Sequence, residues 1–398
     1  MRSRPHQRSR RQVALLVETS RAYGRGVLRG ISRYVRQNPS WSVRLQDRGL
    51  NDPLPNWLSD GRLDGVIARI ETPELARTLR QARLPVVNLS AFEPDNRFPL
   101  IDTDDIRVAE AAYDHFAERG FRSLAFCGYT GARWSDTRRA RFLAKARQSG
   151  ITCHEFRSSL RPDRSHQRET LALEARGLAQ EPQLIDWLRS LPATTGIFAA
   201  NDLRGRQLLD LCHELGLSVP DHLAVLGVDN DELLCELTDP PLSSIEPDCE
   251  RIGWKAAETL DRLMSRHAPN PGRQLFPPVG ISTRKSTDVL AIAEPLIAQA
   301  IGFIREHACD GIGVPDVLRQ VPVSRSALER GFRRHLDRPP KAEILRIQLN
   351  RAMELLRTTD LPLPEISRLC GFRHPEYFNT LFREKLGLPP GQYRRRQR

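Results

Sequence analysis

Eight short runs of β-branched and aliphatic residues limit what this chain can fold into more than any other feature. VALLVE (13–18), SVRLQD (42–47), DGVIARI (64–70) and PVVNLS (85–90) come first. SLAFCG (123–128), ITCHEF (151–156), TGIFAAND (195–202) and LAVLGVD (223–229) follow. Most of these runs lack the polar alternation of a strand with one wet face. They read as parallel strands buried on both faces, with helical stretches between them. Two such series predict two doubly wound α/β lobes, with a ligand seated between them at the carboxyl ends of the strands.

The last hundred or so residues change character and carry two helix-turn-helix units in a row. In VPDVLRQVPVSRSALERGFRRHL (314–336) a short helix ends near Gln320, and after a turn Ser324 is placed to cap a second helix. Leu328, Phe332 and Leu336 recur every fourth residue and define a buried face, which leaves Ser326, Glu329, Arg330 and Arg333 outward. In LPLPEISRLCGFRHPEYFNTLFREKLG (361–387) Gly371 suits a left-handed turn and Pro375 a first helical turn. Phe378, Leu381 and Phe382 form its apolar stripe, and Glu376, Asn379, Thr380 and Arg383 are the exposed set. Asn and Arg so placed make bidentate contacts to adenine and guanine. Between the units, Lys341–Arg357 reads as one helix of about 25 Å. A strut of that order holds two recognition helices near the spacing of successive major grooves, roughly 34 Å. The third expected domain is therefore an all-α tandem helix-turn-helix reader.

Charge follows the same division. Residues 291–398 hold 19 Lys/Arg against 12 Asp/Glu, and MRSRPHQRSRRQ at the start adds five arginines and no acid. The net charge of +12 thus leaves the body from Val13 to Leu290 balanced, so the basic end is the part that meets a polyanion. Residues 1–12 are expected to be a disordered, solvated basic segment, the alternatives being a DNA-touching arm or a transit peptide. No apolar run approaches the roughly 18 residues of a membrane helix, and nothing resembles a secretory signal. The seven cysteines form no C-x-x-C pair and have no histidine at zinc spacing, which points to free thiols in a reducing cytoplasm and to no metal. No phosphate loop, nucleophile elbow or H-E-x-x-H motif is present, so no cofactor is expected and an enzyme is the weaker reading. Fold by itself does not exclude one.

The segment from about Leu290 to Arg398 resembles the AraC-type DNA-binding domain, including the Ile366, Gly371 and Phe372 core of its second unit. The resemblance implies base contacts from Ser326, Glu329 and Arg330 and from Glu376, Asn379 and Thr380. Residues 13–288 resemble the ligand domain shared by LacI/GalR-type regulators and periplasmic sugar-binding proteins. The matching pieces are DGVIARI with LPVVNLS, TGIFAANDLRGRQLLDLCHELGLSVPDHLAVLGVDNDELL, and PPLSSIEPDCERIGWKAAETL. Those relatives usually carry their helix-turn-helix at the amino terminus. The reversed order, with RAYGRGV and RWSDTRRARF, resembles the D-xylose-responsive activators of bacterial xylose operons.

That resemblance implies a cytoplasmic, nucleoid-associated homodimer that binds a double-stranded DNA operator, answers to D-xylose and works with RNA polymerase. Another pentose, or repression in place of activation, stays open. Sugar contacts are implied for Arg21 and Tyr23 after the first strand, Trp134 and Arg138 at the opening of the second lobe, and Asn201 and Asp229 at the ends of two of its strands. Asp229 leads, because a strand-end carboxylate accepts two hydroxyl hydrogens at once. Arg138 read differently is a surface arginine on a basic helix, and Tyr23 and Trp134 are lobe packing. Where several sugar-binding relatives have a Gln, this chain has Pro247, flanked by Glu246 and Asp248.

Overall fold

The computed structural model describes residues 10–46, 62–90, 97–130, 132–156, 182–265, 270–292, 294–336 and 338–397. In chain order the first elements are β1 (Arg11–Leu16), α1 (Ala22–Gln37), β2 (Trp41–Leu45), β3 (Gly65–Ala68), α2 (Pro73–Ala82), β4 (Val86–Asn88), β5 (Leu100–Thr103) and α3 (Asp105–Glu118). Next come β6 (Ser123–Cys127), α4 (Arg133–Gln148), β7 (Thr152–Phe156), α5 (Pro182–Ser190), β8 (Thr195–Ala199), α6 (Asp202–Glu214) and β9 (Leu223–Val228). The α/β region closes with α7 (Glu232–Glu236), β10 (Ser243–Glu246), α8 (Cys249–Met264), β11 (Arg273–Phe276) and β12 (Gly280–Ser282).

These strands make two sheets, in the orders β11-β5-β4-β3-β1-β2 and β12-β10-β9-β8-β6-β7. Pairing is parallel throughout the described ladders except between β10 and β12. Why the apolar runs were diagnostic is visible in β1. Val13 and Leu15 enter one core with Val27, Ile31, Ile252 and Leu260, while Ala14 and Leu16 enter the opposite core with Leu75, Leu79 and Val86. A strand buried on both faces cannot alternate with polar residues. Helices α1 and α8 lie close enough that a Cβ on Gly30 would fall 2.0 Å from the carbonyl oxygen of Glu250, and one on Gly253 as near that of Val27. Of the glycines of YGRGVLRG, Gly26 and Gly30 therefore serve helix packing, while Gly24 lies against Glu18.

All eight runs carry strands, and four further strands were not anticipated: Leu100–Thr103, Ser243–Glu246, Arg273–Phe276 and Gly280–Ser282. Each is short and holds polar residues, and it is the neighbouring ladder that makes it a strand. They matter because the chain passes between the lobes beside them, at 103–105, 246–249 and 276–280. Pro247 sits in the second passage. At the amino end the sequence expectation needs correcting, since Arg11 and Gln12 already belong to β1 and the Arg11 guanidinium meets Asp261 at 3.0 Å. Met1–Ser9 lie outside the described residues.

The chain divides into two compact units, Met1–Phe116 with Arg122–Val289, and Ala117–Phe121 with Leu290–Arg398. The later division falls between Val289 and Leu290, and the five residues 117–121 join the second unit. There Glu118 pairs with Arg346 at 2.7 Å and accepts from Arg305 through its backbone oxygen, and Arg119 accepts from the Ala291 amide. The second unit is helical: α9 (Pro295–His307), α10 (Val314–Gln320), α11 (Arg325–Leu336), α12 (Pro340–Thr358), α13 (Leu363–Leu369), α14 (Pro375–Leu386) and α15 (Pro390–Gln397). One core gathers Ile297, Ile301, Ile304, Val317, Leu328 and Phe332 around the first helix-turn-helix. Another gathers Leu349, Ala352, Ile366, Phe378 and Phe382 around the second. Helix α12 feeds both, Ile344 to the first and Leu349 to Leu356 to the second. Among the described residues no helix is long and apolar enough to cross a membrane.

Candidate functional site

In the second lobe the sequence-named residues converge. Tyr129, two residues past β6, donates its hydroxyl to Asn201 Oδ1 at 3.2 Å and meets Trp134 edge to face at 5.8 Å. Asn201 also caps α6, accepting from the Arg204 amide at 3.0 Å. Arg138 is buried, not a surface arginine. Its Nε donates to Asp105 at 2.8 Å, its Nη1 to the Ala200 carbonyl at 2.6 Å, and its guanidinium covers the Trp134 ring at 4.9 Å. Arg138 keeps a second partner in the Ala200 carbonyl, whereas burial raises the pKa of Asp105 against the lowering effect of Arg138.

Asp229 follows β9 at φ 109°, and Asn230 follows at φ 46°. Two successive non-glycine residues in the left-handed half of the map cost of order 1–3 kcal/mol each and persist only where the surroundings impose them. Here three amides are pinned: Asp229 N to the Ile245 carbonyl at 2.9 Å, Asn230 N to Ser244 Oγ at 3.0 Å, and Asp231 N to Asp202 Oδ2 at 2.9 Å. Asp202 is buried beside Asp229, and both burial and that neighbour raise its pKa. The turn thus holds the Asp229 carboxylate at a strand end by a network built for the purpose.

The first lobe supplies the facing set. Arg21 is the residue preceding α1, in extended backbone, and Tyr23 lies in that helix's first turn, buried at 8% exposure. The Tyr23 hydroxyl donates to Asp102 Oδ1 at 2.8 Å, and the Arg69 guanidinium covers its ring at 5.0 Å. Tyr23 therefore packs within its lobe and also presents a polar link to Asp102. Burial raises its pKa, and Asp102 adds to this. Burial, with Asp105 near by, pushes Asp102 up to about 7 against the opposing Tyr23 and Thr103 hydrogen bonds. Arg69 pairs with Glu18 and, at 2.7 Å, with Glu71. Glu18 Oε2, Thr103 Oγ1 and Asn230 Oδ1 are buried with no hydrogen-bond partner among the described residues. Buried acceptors of this kind are satisfied by hydroxyl donors from ligand or solvent.

Sequence reasoning did not name Glu18, Arg69, Asp102, Asp105 or Tyr129. Arg69 had a usable signal, a lone charge at the end of the buried run DGVIARI. Asp102 had none, because its strand is too short and polar to be read.

The exposed faces of the two helix-turn-helix units agree with the periodicity. Ser324 Oγ accepts from the Ala327 amide at 3.2 Å and starts α11, and Leu328, Phe332 and Leu336 are buried. Ser326, Arg330 and Arg333 are exposed, and Glu329 is half-buried beside Arg325, whose Nε lies 3.3 Å from it. In the second unit Gly371 takes φ 78°, where a Cβ would meet the Cys309 carbonyl oxygen at 2.8 Å, and Pro375 opens α14. Glu376, Asn379, Thr380 and Arg383 are exposed around the buried Phe378, Leu381 and Phe382. Among the described residues no group of His, Cys, Asp and Glu could hold a metal ion.

Comparison with known proteins covers nearly the whole chain. Residues 12–106 match the XylR N-terminal domain, 113–287 a periplasmic binding protein-like domain and 317–396 a helix-turn-helix domain. The xylose operon regulatory protein of Escherichia coli K12 is 32% identical over 399 residues, 97% of each chain. That of Haemophilus influenzae is 31% identical, over 96% of this chain and 98% of its own. A solved xylose-binding transcription activator is 30% identical with a TM-score of 0.58, over 97% of this chain and 98% of the other.

Proposed function

The chain belongs to the family of xylose operon regulatory proteins, and from that premise we propose that it is a D-xylose-responsive activator of xylose catabolism genes. The observation that carries the ligand half is the Asp229–Asn230 turn, whose unfavourable backbone is held by three pinned amides and sets a carboxylate at a strand end. In this reading Asp229, Asn201 and Arg138 grip sugar hydroxyls from the second lobe, with Trp134 covering C–H surface. Arg21 and Tyr23, joined by Glu18, Arg69 and Asp102, do so from the first. Planar acceptors and donors of this kind bind paired hydroxyls by charge-assisted hydrogen bonds.

The DNA half rests on two exposed recognition faces fed by one strut. Ser326, Glu329 and Arg330, then Glu376, Asn379 and Thr380, reach base edges, and Arg333 and Arg383 approach phosphates. The regulator acts in the cytoplasm on the nucleoid as a homodimer presenting four such units, and passes its signal to RNA polymerase.

The test is calorimetric titration of the full chain with D-xylose, L-arabinose and D-ribose, alongside thermal melts. D-xylose should bind tightest and raise the melting temperature most, since a ligand of the native state alone stabilises it. A stronger response to either other pentose overturns the xylose assignment, and no response to any of the three overturns the sugar reading.

A further inference from the structure

Arg25 lies in the first half of α1, in the first lobe, and Asp231 directly precedes α7, in the second. Their side chains meet, Arg25 Nη2 to Asp231 Oδ2 at 3.0 Å, and Arg25 Nη1 donates to the Thr19 carbonyl at 3.2 Å. The guanidinium is thus fixed to its own lobe by one nitrogen and reaches the other lobe with the second. Both side chains are partly covered, at 38% and 20% exposure. The passages at 103–105, 246–249 and 276–280 stay joined whatever the angle between the lobes, whereas this ion pair joins them through side chains alone, beside the second passage, where Gly26 packs on Cys249.

Asp231 is also the third residue of the pinned turn that presents Asp229. Its amide is held by Asp202 and its neighbour's by Ser244, so the turn moves as one piece with the second lobe. An arginine that holds Asp231 therefore also fixes the distance from Asp229 to Tyr23 and Asp102 across the cleft. We propose that Arg25 and Asp231 form a closure latch, a positioning pair that keeps the lobes together around the bound ligand and slows its escape. The proposal rests on the sugar-sensor reading above. It gives Arg25 and Asp231 a role without ligand contact: the grip on the ligand comes from Asp229 and its facing set, and the residence time from the latch.

The experiment uses the full chain and four variants: Arg25→Gln, Asp231→Asn, the two combined, and the charge-exchanged Arg25→Asp with Asp231→Arg. D-xylose association and dissociation rates are measured by stopped flow, and hydrogen exchange is followed in the ligand-free proteins over residues 18–25 and 229–231. A partly exposed ion pair supports a change of up to about fivefold. Each single variant should speed dissociation by about threefold with a smaller change in association. The double variant should be no worse than either single one, and exchange in both segments should rise in all three. The charge-exchanged pair should recover a large part of the lost residence time, which a side chain with a purely structural role would not do. Unchanged dissociation, or single effects that multiply in the double variant, overturn the latch. If the wild type binds no D-xylose, the xylose assignment falls and the exchange data decide the latch, which unchanged exchange in the variants refutes.

Discussion

Asp102 and Asp229 show how the cleft trades stability for polarity. Asp102 has its pKa pushed up to about 7 by burial and by Asp105, against about 3.9 in an unfolded chain. The folded protein then holds the extra proton across that interval. The group's contribution to stability is complete below the unfolded value and is lost as pH rises toward 7. Asp202, Asp105 and Glu118 shift the same way, so the wild-type profile alone does not isolate Asp102. Asp102→Asn, uncharged throughout, should melt close to the wild type at pH 5 and gain on it by pH 8. Equal gaps at the two pH values would remove Asp102 as the titrating group. Asp229→Gly relieves the φ of 109° and removes a carboxylate from beside Asp202. Ligand-free stability should rise by about 1 kcal/mol, while D-xylose affinity drops at least about tenfold because sugar hydroxyls lose their acceptor. Calorimetry and melts on one preparation read both, and retained affinity would take Asp229 out of the site.

The helix-turn-helix elements separate packing from recognition along one helix. Phe332 and Arg330 are two residues apart on α11, the one fully buried and the other exposed. Phe332→Ala should destabilise the DNA-binding unit by about 3–5 kcal/mol, the cost of a large core cavity. Arg330→Ala should leave the melt within about 0.5 kcal/mol and weaken cognate operator binding by about 1–3 kcal/mol, relaxing preference at one or two base pairs. Operator titrations against a shuffled duplex at fixed salt distinguish the cases, and equal weakening on both duplexes would make Arg330 a phosphate contact. These elements were legible because an amphipathic helix writes its buried face every third or fourth residue. Ser324, Leu328, Phe332 and Leu336 needed no tertiary information. The pairing of Glu329 with Arg325 was as local, an i,i+4 contact, and was readable in principle.

At the scale of the whole chain, a sensor and a DNA reader are useful together only if each changes the other's affinity. Saturating D-xylose should tighten operator binding by a factor worth about 1–3 kcal/mol, and operator should tighten D-xylose binding by the same factor, as thermodynamic linkage requires. Paired titrations at one salt concentration check the equality, because phosphate contacts make operator affinity strongly salt-dependent. Identical operator affinity with and without sugar would leave the sensor no DNA-level output. Residues 117–121, which fold with the DNA-binding unit, and the segment after β12 are the two places where the chain passes from one unit to the other.

By itself the sequence determined the two α/β lobes, the helical reader and the face each recognition helix exposes, because burial on both sides of a strand or on one side of a helix repeats over short distances. Asp229, Asn201 and Trp134 were named as candidates through motifs that resemble a known family. Tertiary structure alone decided the rest. Strands such as Leu100–Thr103 and Gly280–Ser282 exist because a neighbouring ladder accepts them. Asp102 meets Tyr23 from 79 residues away, and Arg25 meets Asp231 from 206. No local pattern records which distant charge a buried carboxylate will face, since that depends on how whole sheets stack and where the chain passes between the lobes.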